Sequence, residues 1–145
     1  MNIITYKDKT IDIYTYNNKY EYNLSLVNFL NVLCLKNGSS LKGRIEAFNF
    51  IVNSYQKTPI IVSFDSSIIL IPLYSIYNDD CILINYFNIK KFKYKDNTTI
   101  IYFNDGSIRN LDIDVRILRK QVKRVDQYLN LLKLNKYSDF TTNFA

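Results

Sequence analysis

Histidine is missing from this chain, and its absence removes the usual general base, the usual neutral-pH switch and the commonest zinc ligand together. A Ser-His-Asp triad, a Cys-His pair and a His-containing metal site are excluded. Long apolar runs are also lacking. The longest, Ile68 to Tyr74, is far short of a membrane span, and Met1 to Asp8 has neither the basic start nor the apolar stretch of a signal peptide. With two cysteines and no export signal, the expected setting is the cytoplasm with reduced thiols. Cys34 and Cys81 each lie in an apolar run and read as core packing before thiol chemistry. No cofactor, metal, membrane or small-molecule substrate is called for, and the chain is not read as an enzyme.

What is present suffices for one domain, residues 1–145. The chain has 145 residues, 48% of them hydrophobic, and folding at this size buries roughly 68–70% of the extended surface without staples. The 20 Ile, 18 Asn, 14 Lys and 13 Tyr are all spelled by A/T-rich codons, so tyrosine abundance alone says little about base stacking. Charge placement says more. Residues 1–86 carry seven basic and seven acidic residues, so the whole net charge of +6 lies in residues 87–145. It sits in two clusters, Lys90 to Lys95 and Arg116 to Arg124, an asymmetry that points to a polyanion partner.

Periodicity predicts an α+β fold. Thr10 to Tyr16 alternates as a strand and turns at Asn17-Asn18 into Tyr20-Glu21-Tyr22, an N-terminal meander over 1–23. Helical spacing follows from Leu24 to Leu35, and again from Leu41 to Tyr55 behind a Ser39 or Ser40 cap. Short β-branched and aromatic runs from Pro59 to Leu111 predict an antiparallel sheet or partly open barrel, with Asn104-Asp105-Gly106 as a hairpin. After Asp112 or Asp114 a long amphipathic helix reaches about Leu134, and 137–145 reads as a loose tail. On that helix Val115, Leu118, Val122, Val125, Leu129 and Leu132 form a seam, while Arg116, Arg119, Lys120, Lys123 and Arg124 share the opposite arc. The seam suits either a dimer interface or the sheet beneath it. Asp126 is the only acid from Val115 to Leu134, so the arc has few i,i+4 partners to neutralise it.

Several modest motifs fall in a shared order. They are Cys34 followed by Gly38-Ser39-Ser40 and Gly43-Arg44; Lys57-Thr58-Pro59 before Ile60-Ile61-Val62; Ile69-Leu70-Ile71-Pro72 with Ser75; Cys81; Phe103-Asn104 with Gly106; and Gln121 with Arg124. Over roughly Cys34 to Leu129 this pattern resembles the competence transcription factor ComK family, with Thr58 and Leu83 standing where the family has Pro and Trp. The resemblance implies an oligomer, a homodimer or larger, that binds A/T-rich double-stranded DNA through the minor groove and activates transcription at the nucleoid.

The candidate DNA-contacting residues are then Arg116, Arg119, Lys120, Lys123 and Arg124 on the last helix. Five such phosphate contacts would make log affinity fall with log salt at about −4 to −5. A second candidate is Ser39, Ser40, Lys42 and Arg44 at a helix start, a turn with hydroxyls, free N–H groups and cations suited to a phosphate oxygen. The same segment also reads as a capped helix with solvated charges. Gly43 costs roughly 1 kcal/mol in a helix relative to Ala, so something is expected to approach its backbone closely. In Lys90 to Lys95 a strand would put Phe92 and Tyr94 on one face and Lys91, Lys93 and Lys95 on the other. Edge protection and phosphate contact both suit that face. The rival reading of the whole basic surface is a module that docks an acidic protein or anionic membrane.

Overall fold

The computed structural model describes residues 1–143, with side chains through Lys133. Three strands, β1 (Ile3–Lys7), β2 (Thr10–Tyr14) and β3 (Lys19–Tyr22), open the chain as an antiparallel meander. Asp8 and Lys9 make the first turn with φ of 51° and 61°, the left-handed pair that a two-residue hairpin requires. Helix α1 (Leu26–Leu35) starts on Ser25, whose hydroxyl accepts from the Asn28 N–H, and α2 (Leu41–Val52) starts on Ser40. Strands β4 (Ile60–Ser63), β5 (Ile68–Pro72) and β6 (Cys81–Asn85) follow, then a short 3-10 turn at Tyr86–Asn88. Strands β7 (Ile89–Lys95), β8 (Thr98–Phe103) and β9 (Ile108–Leu111) lead into α3 (Val115–Asn143).

The strands divide into two open antiparallel sheets. One has six strands in the order β3-β2-β1-β6-β5-β4, and the other has β7-β8-β9. The single sheet expected over Pro59 to Leu111 is therefore split, and neither sheet closes into a barrel. The break lies at Asn85, a buried polar hub. Its amide donates to the carbonyls of Met1 and Ser67, and its oxygen accepts from the Ile69 and Phe87 N–H groups, which turns the chain out of β6. Composition explains the rest. Strands β1, β4, β5 and β6 are apolar on both faces and can be covered on both sides, whereas β7 alternates Lys with aromatics and must leave one face in water.

Two cores result. On one side of the six-stranded sheet Ile4, Ile11, Ile60, Val62, Leu70 and Leu83 meet Leu26, Leu30, Cys34 and Leu41 of the first two helices. On the other side Ile3, Ile61, Ile69, Ile71 and Ile84 meet Ile101 and Phe103 of the small sheet and Leu118 and Val125 of α3. The Asn104-Asp105-Gly106 hairpin is present, with Gly106 at φ 91° and the Phe103 N–H bonded to the Ser107 carbonyl at 2.9 Å. Asn2 donates to Asp105 at 2.7 Å and to Ser107 at 3.1 Å, which ties the N-terminus to that hairpin and joins the two sheets. Helix α3 runs past Leu134 to Asn143, so it takes in most of the segment expected to be a loose tail; residues 144–145 lie outside the described ones.

Candidate nucleic-acid interface

Packing takes up the α3 seam. Val115, Leu118 and Val125 are buried, and Val122, Leu129 and Leu132 are partly buried against the core cluster. Of the two readings of the seam, core packing is the one observed. With that side fixed, Arg116, Arg119, Lys120 and Lys123 are all exposed on the opposite face.

Arg116 is less available than the helix count implied. Its guanidinium sits on Asp114 in a two-pronged contact, with Nη2 at 2.6 Å and Nε at 3.0 Å from Oδ2. Asp114 also accepts from the Arg116 N–H at 2.9 Å, which caps the helix start. These bonds from Arg116 hold the Asp114 carboxyl down at about 2. The sequence count of acids began at Val115 and so missed this partner. Among the described residues, Arg119, Lys120 and Lys123 take part in no ion pair. Replacing Asp114 with Ser keeps a capping oxygen but releases Arg116. If this face contacts duplex DNA, the expected result is tighter binding, with a salt slope steeper by about one unit, measured by fluorescence anisotropy across a salt series.

Arg124 does not belong to the exposed stripe. Setting Arg116 at zero and advancing about 100° per residue, it lies at the margin of the cationic arc, and there the helix dips beneath the chain leading into β4. Arg124 is 8% exposed. Its Nη1 donates to the carbonyls of Gln56 (2.7 Å) and Lys57 (3.0 Å) and to Gln121 Oε1 (2.6 Å). Gln121, also buried, donates to the carbonyls of Lys57 at 2.7 Å and Pro72 at 2.6 Å. Three motifs singled out in the sequence, Lys57-Thr58-Pro59, the Pro72 strand end and the Gln121/Arg124 pair, are thus one buried clamp that seats α3.

The Gly38 to Arg44 segment proves largely self-satisfied. Gly38 turns at φ 104°. Ser40 Oγ accepts from the Gly43 N–H at 3.0 Å, Asn31 Oδ1 accepts from the Leu41 N–H at 3.0 Å, and Arg44 donates to the Asn37 carbonyl at 2.6 Å. The close approach expected at Gly43 comes from within: an added Cβ would lie 3.0 Å from Ser39 Oγ and 3.2 Å from Ser40 Oγ. Ser39, Ser40 and Arg44 therefore serve the α1–α2 junction, and Lys42 alone of the four is exposed. Neither cysteine is poised for chemistry. Both are free and buried, and burial pushes the Cys81 thiol up to about 12 and the Cys34 thiol up as well. Among the described residues no group of acids and cysteines can hold a metal ion, and no helix is long and apolar enough to cross a membrane.

Strand register settles the geometry of the β7 cluster. Lys91, Lys93 and Lys95 stand opposite Tyr102, Ile100 and Thr98, on the outward face, while Phe92 stands opposite the buried Ile101. Tyr102 was not singled out in the sequence, because only cross-strand pairing brings it under the lysines.

These features define a class: an α+β domain whose last helix is clamped by buried polar bonds and turns to solvent a row of cations that form no ion pair among the described residues. The family model of the ComK protein matches residues 1–136, and the chain belongs to the ComK family of competence regulators. No curated protein and no solved structure matches it significantly.

Proposed function

We propose that this ComK-family protein is a sequence-preferring DNA-binding transcription factor that contacts A/T-rich duplex through the minor groove, at the nucleoid in the cytoplasm. The exposed face of α3 supplies the phosphate contacts. The observation that carries the reading is the row Arg119, Lys120 and Lys123, exposed and, among the described residues, without a carboxylate partner on a helix whose opposite side is locked into the core. Arg116 joins them once Asp114 yields it to a phosphate. Lys42 is an outlying contact, and Ser39, Ser40 and Arg44 hold the turn that presents it. Self-association as a homodimer or larger homo-oligomer belongs to the same reading and uses a surface other than the α3 seam.

Preference for A/T needs arginine in a narrow, strongly negative minor groove, where lysine does less well. A gel shift comparing A/T-rich with G/C-rich duplexes tests this. Retention on A/T-rich duplex should survive moderate salt, and Arg119→Lys should narrow the gap between the two targets. Equal binding to both duplexes, or binding to anionic vesicles in place of DNA, would overturn the reading.

A further inference from the structure

The small sheet carries a second cationic surface that α3 does not account for. On its outward face Lys91, Lys93 and Lys95 alternate along β7 and recur about every 6.7 Å, a spacing comparable to that of neighbouring phosphates on a nucleic-acid strand. Simple edge protection would have the lysines splayed over the free edge of β7. Instead two of them lean inward over the sheet: Lys91 Nζ lies 4.9 Å and Lys93 Nζ 5.5 Å from the centroid of the Tyr102 ring on the neighbouring strand. The ring holds both ammonium groups on the face by cation–π attraction. No carboxylate shares that face, where Thr98, Ile100, Tyr102, Ile108 and Asn110 are the other residues, and none of the three lysines forms an ion pair among the described residues.

From this arrangement we infer that the outward face of the three-stranded sheet is a second docking surface for the sugar–phosphate backbone of duplex DNA. It adds to the proposed DNA reading and rests on it. The surface is a separate face from that of α3, because the inner side of the small sheet and the α3 seam pack into one core cluster, which leaves the outward side of the sheet and the cationic side of α3 each turned away from that core. It reads no sequence: lysine ammonium groups are point charges for phosphate, and the surface contributes affinity equally on all duplexes.

The test replaces Lys91, Lys93 and Lys95 together with Gln in the full chain and measures duplex affinity across a salt series, with the triple Arg replacement as a charge-keeping control. Each phosphate contact contributes about 0.9 to the slope of log affinity on log salt. The Gln variant should therefore flatten the slope by about 2 to 3 units, equally on A/T-rich and G/C-rich duplexes, and the Arg variant should retain the wild-type slope. A Gln variant with the wild-type slope, and with increased light scattering, would show that the lysines only guard the edge and would overturn the inference alone. A wild-type slope near zero would overturn it together with the DNA reading.

Discussion

Replacing Arg124 with alanine should cost the fold about 3 kcal/mol while leaving the salt slope of DNA binding unchanged in the protein that remains folded. The side chain is 8% exposed and its Nη1 serves three acceptors. Truncation leaves Gln121 Oε1 stranded in a buried site, which costs about 1–3 kcal/mol, and removes the donor to the part-buried Gln56 carbonyl, which water can reach. The Lys57 carbonyl keeps the bond from Gln121. Arg124→Lys should recover part of the loss, since an ammonium carries three N–H donors but on a shorter stem than the guanidinium Nη1 that meets all three acceptors. Denaturant melts of Arg124→Ala, Gln121→Ala and the double variant should give a coupling above about 0.5 kcal/mol. A stable Arg124→Ala protein with weakened DNA binding would restore Arg124 to the interface.

The opposite pattern is expected at the exposed positions. Arg119→Ala, Lys120→Ala and Lys123→Ala combined should leave stability within about 0.5 kcal/mol, as surface changes away from caps and cores usually do. Duplex affinity should fall on the order of 10² to 10³-fold at 0.1 M salt if three phosphate contacts vanish. Among the described residues these three side chains have no ion-pair partner to lose, so the effect belongs to binding. The contrast between Arg124 and its helical neighbours separates a residue that seats α3 from those that use it.

Much of the fold was legible because its signals are local. The Ser40 cap, the Asn104-Asp105-Gly106 turn and the α3 seam each declare themselves within a few residues, whereas the Ser25 cap of α1 was not singled out. The split into two sheets was not, because it depends on β1 inserting between β2 and β6 and on Asn85 gathering groups from Met1, Ser67 and Ile69. Strand β1 itself hid behind Asp8-Lys9, a turn whose two left-handed residues are not the usual Asn-Gly or Asp-Gly. In the site, helical geometry placed the cationic arc correctly but could not tell which margin the β4 approach covers. That margin is where Arg124 sits. Nor could it show that Asp114, one residue outside the helix, holds Arg116.

The most direct test of the α3 interface is the slope of log affinity against log salt on one A/T-rich duplex, measured side by side for the wild-type protein and the Arg119→Ala, Lys120→Ala, Lys123→Ala variant. With three phosphate contacts removed, the variant's line should be flatter by about 2.7 units. Parallel lines would contradict the assignment of the DNA-contacting face to α3.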